Sequence, residues 1–342
     1  MTTLVLHIGH PKTGSTALQH ALSSTADVLM GHSVLYPTQA EPRSEKHALA
    51  TPYLTGFEYQ ALRRRTGLEG EALRMLSADY WDSVVSEVRA VNPECLILSN
   101  EGFWLVPRNR LRAFREKLDE VCDSVTVCAY LRSPAARFLS QMNQDVRMFR
   151  EIAPPAPDYY RTVIEAWQSA GFERCSWRVY SSARLIDGDI VADFCAEYLP
   201  PAVSARDLPR HPGANQSVSS EALAVLQRLQ RDRPGQGARD PERARIVALV
   251  RAADTAAGGQ RRPKLKPEIE ASLVAGCTDL HWLREHCGIN FDDVDMARAA
   301  SGATVDLAGL SHVEDFCLID QERAETLQTR VMQALLTKSY RG

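Results

Sequence analysis

The chain predicts an α/β fold in three layers: a central parallel sheet with helices on both faces, followed by a mainly helical carboxyl part. Three observations carry this. Residues 3–8 form a short β-rich run that breaks at a glycine-bounded loop and passes into a helical pattern, the strand–loop–helix opening of such folds. Further apolar runs recur between helical stretches, as parallel strands buried on both faces require. The 342 residues, 44% hydrophobic and 24% charged, have the composition of a globular protein and exclude a disordered, collagenous or coiled-coil chain.

The elements follow in order. Residues 3–8 are the first strand and 15–24 the first helix. Residues 68–91 place Leu73, Leu76, Tyr80, Val84, Val88 and Val91 at helical spacing. Residues 95–99 are a second buried strand. A helix near 107–121 precedes a third strand, 125–131. Pro134 suits the first turn of the next helix, whose apolar face is Ala135, Phe138, Leu139, Met142, Val146 and Phe149. Residues 175–180 are a fourth strand. Ala222, Val225, Leu226 and Leu229 mark one later helix and residues 322–336 another. Loops rich in Pro, Gly and Arg fall at 153–157, 200–212, 233–241 and 258–267, and no internal repeat is present. The expected organisation is one domain, 1–342, with an α/β core over 1–200 and a helical extension over 201–342.

A net charge of -3 and a pI near 6.3 provide no basic field for nucleic acid or an anionic membrane. Only six of the 40 basic residues are lysines, the mark of a GC-rich, bacterial genome. The eight cysteines form no C-x-x-C pair and match no zinc module. Several sit in apolar runs, which predicts buried reduced thiols and a cytoplasmic address. The amino end lacks a basic n-region, and no stretch approaches the ~20 apolar residues of a membrane span.

The first chemical motif is Gly9-His-Pro-Lys-Thr-Gly-Ser-Thr16. It has the G-x-x-x-x-G frame of a P-loop, so the fold expected is of the P-loop type. In an NTPase the next residue is Lys; here Ser15 holds that place and the lysine is Lys12, inside the loop. Backbone N–H groups and the helix dipole still favour an anion, and Lys12 adds a mobile charge. The second motif, Leu131-Arg-Ser-Pro-Ala-Ala-Arg-Phe-Leu-Ser140, follows the third strand. Arg132 stands at that strand's carboxyl end, where open α/β sheets bind ligands. Arg137, Ser140, Gln144 and Arg147 form one polar stripe on the helix after it, and for Gln144 and Arg147 a solvated face is the expectation.

Pro-Lys-Thr-Gly-Ser-Thr resembles the 5′-phosphosulfate loop of sulfotransferases that use 3′-phosphoadenosine-5′-phosphosulfate (PAPS). An Arg followed eight residues later by Ser resembles their 3′-phosphate motif. The resemblance covers roughly the first 150 residues. It implies that Pro11, Lys12, Thr13, Gly14, Ser15, Thr16, Arg132 and Ser140 bind PAPS and its product 3′-phosphoadenosine-5′-phosphate (PAP), and that no metal is required. The segment His211-Pro-Gly-Ala-Asn-Gln-Ser217 resembles a downstream polar segment near the nucleotide.

Sulfuryl transfer needs a cation at the leaving oxygen and a base at the acceptor, by analogy with phosphoryl transfer. Lys12 suits the first role. Glu101 follows the second strand, at the edge where both motifs emerge, and resembles the glutamate of carbohydrate-modifying members. His47, in Glu45-Lys-His-Ala-Leu49, is the other candidate base. His7 reads as sheet packing, and His281 with His286 is poorly spaced for a metal. The basic runs 63–65 and 261–266 read as solvated loops.

The expected function is transfer of the sulfuryl group from PAPS to a hydroxyl or amine of a carbohydrate, lipid or small molecule. Lys12, Glu101 and His47 are the candidate catalytic residues. Two other readings stay open: a P-loop nucleotide kinase or NTPase, and a non-catalytic PAP-binding module. Neither the acceptor nor the oligomeric state is legible.

Overall fold

The computed structural model describes residues 1–37, 46–53, 67–148, 151–155, 160–209, 218–231, 241–258, 261–297 and 305–339. The chain forms two compact units. The first holds Met1–Arg132, Tyr159–Ala214 and Asp279–Asp292; the second holds Ser133–Asp158, Asn215–Thr278 and Asp293–Gly342.

The first unit is built on five strands, β1 (Thr3–His7), β2 (Val34–Leu35), β3 (Cys95–Ser99), β4 (Ser124–Leu131) and β5 (Arg174–Val179), in the order β2-β3-β1-β4-β5. All neighbours are parallel. β1 is central, with Val5 level with Ile97 on one side and Thr126 on the other. The expected strands at 3–8, 95–99 and 125–131 are therefore adjacent, and the one at 175–180 lies outside β4.

Side chains of alternate parity leave opposite faces of a strand, and both parities are buried here. On one face Val5, Ile97 and Tyr130 pack with Leu18 and Leu22 of helix α1 (Ser15–Ser24), and with Ile190 and Phe194 of the helix Ile190–Tyr198. Leu4, Leu6, Leu96 and Leu98 point the other way and are also buried. Away from the strands, the fully buried Phe114 meets Tyr53, Trp81, Phe103 and Trp167 at ring-centroid distances of 4.9, 6.3, 5.0 and 6.0 Å. These rings draw the helices Gly70–Val91, Arg108–Leu118 and Tyr160–Gln168 together.

His7 is sheet packing. Its ring is fully buried, edge-on to Tyr130 and Phe194, with Nδ1 2.8 Å from the Ser99 hydroxyl. Its Nε2 has no hydrogen-bond partner among the described residues. Burial lowers its pKa from 6.5 to about 4. The unfolded chain therefore binds a proton between these values that the native ring refuses. The contribution of neutral His7 to stability is complete above about pH 6.5, falls as pH drops towards 4, and amounts to roughly 3 kcal/mol. Urea unfolding at pH 7.5 and pH 4 checks this: His7→Asn is expected to reduce the loss between the two by about that amount. An unchanged difference would remove His7 as its source.

The second unit is helical. Pro134–Met148, Ser220–Arg231, Pro241–Ala256, Pro267–Ala275, Val313–Phe316 and Gln321–Ser339 surround a core that includes Met142, Val146, Leu223, Leu226, Ile246, Val250, Phe316 and Leu327. The buried Asp254 accepts from Ser219 Oγ at 2.7 Å and from Arg323 Nη2 at 2.8 Å, so this core charge is paired. Among the described residues no helix is long and apolar enough to cross a membrane.

Candidate functional site

The site begins where β1 ends. Ile8 N–H donates to the Cys128 carbonyl on β4. On the other side, Asn100 N–H donates to the His7 carbonyl and Trp104 N–H to the Ile8 carbonyl. The ends of β1, β3 and β4 are thus stitched together before any functional side chain appears. Gly9 then turns with φ +89°, and a Cβ there would stand 3.1 Å from the Cα of Glu101. Only glycine allows this approach without strain. It brings the Glu101 backbone against the loop, with the side chain half-buried. Glu101 opens a 3₁₀ turn, Glu101–Leu105, capped by Asn100, whose Oδ1 accepts from Gly102 N–H at 2.8 Å.

The loop from Gly9 to Thr16 is held from inside and outside. The buried Thr13 hydroxyl donates to the His10 carbonyl at 2.6 Å. The His10 ring lies between Trp104 and Tyr160, at 5.0 and 5.4 Å. Lys12 and Gly14 both adopt left-handed backbone, φ +73° and +81°. Arg132 Nη1 donates to the Lys12 carbonyl at 2.7 Å, and Tyr160 Oη donates to the carbonyl of Arg132. The Arg132 guanidinium also lies over the Tyr180 ring, 5.3 Å from its centroid. Tyr180 follows β5, its N–H bonded to the Leu131 carbonyl, and its phenol covers Gly14: a Cβ there would be 2.8 Å from Tyr180 Oη.

What this backbone leaves open defines its chemistry. Among the described residues, the N–H groups of Thr13, Gly14, Ser15 and Thr16 donate to no acceptor. Those of Ser15 and Thr16 belong to the first turn of α1, where no intrahelical acceptor exists. The Ser15 hydroxyl is buried and has no hydrogen-bond partner among the described residues. Four N–H groups and a hydroxyl at a helix start, after two left-handed residues, form a cradle for an oxyanion.

Pro11, Lys12, Thr13, Gly14, Ser15 and Thr16 lie together in this loop and the first helical turn, with Glu101 and Arg132 beside them, all in the first unit. Ser140 lies half-buried on the helix Pro134–Met148, in the second unit. His47 belongs to the 3₁₀ helix Lys46–Tyr53, which packs on the turn carrying Glu101: a Cβ at Gly102 would be 3.2 Å from the Cβ of Ala50. The His47 side chain lies outside the described residues, as do the segments 211–217 and 63–65. No group of three or more His, Cys, Asp or Glu among the described residues is arranged to hold a metal.

Sequence reasoning missed Trp104, Tyr160 and Tyr180. The available signal was position: Trp104 lies three residues after Glu101, and Tyr180 closes a strand at the same sheet edge. Comparison of the chain with family models, curated proteins and solved structures found no match.

Proposed function

We propose that the protein is a PAPS-dependent sulfotransferase acting on a hydroxyl or amine acceptor. One observation carries the reading most: the oxyanion cradle of Thr13 to Thr16, with Lys12 in its loop, at the carboxyl edge of a parallel sheet. The unshared N–H groups and the buried Ser15 hydroxyl suit a tetrahedral 5′-terminal group. Lys12 takes the place of the lysine that an NTPase carries one position after the second glycine. By resemblance, Arg132 binds the 3′-phosphate.

PAPS, when bound, supplies an activated sulfuryl group. The chain's own work is to position and to balance charge. The cradle fixes the 5′ end, and the Lys12 ammonium neutralises charge on the oxygen that departs. Glu101, on the adjoining turn, accepts the proton of the acceptor. Arg132 has two duties in this reading, holding the Lys12 carbonyl and pairing with a phosphate.

Calorimetry with PAP and with adenosine 5′-monophosphate separates these duties. Wild type is expected to prefer PAP. Arg132→Ala is expected to reduce that preference by about tenfold or more, a charge-assisted hydrogen bond contributing ~1.5–3 kcal/mol. Equal losses for the two nucleotides would leave Arg132 as loop support only. Tighter binding of Mg-ATP than of PAP, with phosphate release, would replace this reading with an NTPase. PAP binding without transfer to any acceptor would leave a binding module.

A further inference from the structure

Helix α1 carries the start of the anion cradle, and the end of β3 leads into the turn that carries Glu101. One half-buried side chain joins the two. Gln19 Nε2 donates to the Ser99 carbonyl at 3.1 Å and to the Ser99 hydroxyl at 3.2 Å. Ser99 is buried, the last residue of β3 and two before Glu101. Its hydroxyl also lies 2.8 Å from Nδ1 of His7, the last residue of β1. A single amide thus ties the helix to the strand that leads to the candidate base. The hydroxyl that it meets also reaches the strand that feeds the loop.

The place of Gln19 on the helix gives this link its meaning. Gln19 stands four residues after Ser15, so the two lie one above the other on one face. Side chains of a helix lean towards its amino end, here towards the cradle. Leu18, Ala21 and Leu22 dock α1 on the core. Apolar contact resists separation but has no direction, so it fixes rotation and sliding of the helix only weakly. A hydrogen bond has a preferred length and angle, and two from one amide to one residue constrain both motions. The N–H groups of Ser15 and Thr16 move with the helix. Their aim relative to the Glu101 turn therefore depends on this clamp. The turn itself is held separately, by the Gly9 approach and the Asn100 cap.

We infer that Gln19 is a positioning residue: its clamp on Ser99 aligns the group held in the cradle with the acceptor that Glu101 serves. The inference rests on the sulfotransferase reading and adds to it a residue outside both motifs. Misplacing reacting atoms by ~1 Å costs about 10²-fold in rate. Binding of PAP, which has no sulfuryl group to align, is more tolerant. Gln19 therefore acts on turnover more than on affinity.

The test uses the full chain and labelled PAPS, with water as the acceptor. Water attacks the sulfur, the bond from sulfur to the bridging phosphate oxygen breaks, and one proton of the water passes to Glu101. Sulfate and PAP result, and the released sulfate is counted. Gln19→Met keeps the length and packing of the side chain but cannot donate. It is expected to lower sulfate release at saturating PAPS by about tenfold or more. Its PAP affinity, by calorimetry, is expected to stay within about threefold of wild type. In a Glu101→Gln background, where alignment has no base to serve, the same change is expected to add less than about threefold. Ser99→Ala keeps the carbonyl bond and loses the hydroxyl, so its release is expected between wild type and Gln19→Met. It carries the test if Gln19→Met fails to fold. Three results would overturn the inference and leave the sulfotransferase reading standing: full release in the Gln19 and Ser99 variants, equal losses of release and PAP affinity, or an undiminished Gln19→Met effect in Glu101→Gln. Equal losses would mean that the amide only docks the helix. No sulfate release by wild type, or full release by Glu101→Gln, would overturn the reading of the base and the inference together.

Discussion

Glu101→Gln is expected to lower turnover by roughly 10²–10⁴-fold, the usual contribution of a positioned base, while PAP affinity stays near wild type. The amide keeps the shape of the side chain and removes its ability to take a proton. The geometry makes the separation sharp. The Glu101 backbone is pinned by the Gly9 approach and by the Asn100 cap, so the substitution leaves the turn in place. Single-turnover transfer from PAPS, measured beside PAP calorimetry, reads both quantities. Retained activity in Glu101→Gln, with loss in His47→Ala, would move the base to the neighbouring 3₁₀ helix Lys46–Tyr53. Retained activity in both would exclude both residues.

The second large effect is expected at Lys12. Its carbonyl is tied to Arg132 at 2.7 Å, so the loop is held through the backbone. Lys12→Ala therefore keeps the cradle and removes one charge. Turnover at saturating PAPS is expected to fall about 10²–10³-fold, the range for loss of one electrostatic partner of a developing anion. PAP binding is expected to fall much less, because PAP lacks the group whose departure Lys12 assists. Full turnover once the variant is saturated would exclude the leaving-group role.

The central strands were legible because each is a mainly apolar run between breakers. The strand read at 95–99 is β3, and those read at 3–8 and 125–131 differ from β1 and β4 by one residue at one end. β2 was invisible because Val34 and Leu35 are too few to show a period. The helix Ile190–Tyr198 escaped for the opposite reason: it is buried nearly all round, so no apolar stripe stands out. Its one local mark is Asp189, whose carboxylate accepts from Val191 and Ala192 N–H, an N-cap. In the site, the loop and Arg132 were legible because their spacing is local. The contacts of Tyr160 with Arg132 and of Tyr180 with Gly14 join residues far apart in sequence, and only the sheet order brings them together. Ser140 is the converse case. Its spacing from Arg132 is a sequence relation, and between the two the chain passes from the first unit into the second.

That alternation bears on how the protein comes to exist. The first unit ends with Asp279–Asp292. In that segment Phe291 packs on Tyr160 at 6.1 Å and Asp292 pairs with Arg184 at 2.6 Å. A nascent chain can assemble the five strands once β5 has emerged. It cannot finish the unit around Tyr160, the residue bonded to Arg132, until about a hundred further residues have been made. Those residues include half of the buried core of the other unit. Synthesis therefore interleaves two folding problems, and a gene fragment cut after the last strand encodes a sheet without its closing segment. Excising the sheet unit intact would require rejoining three separate stretches of chain.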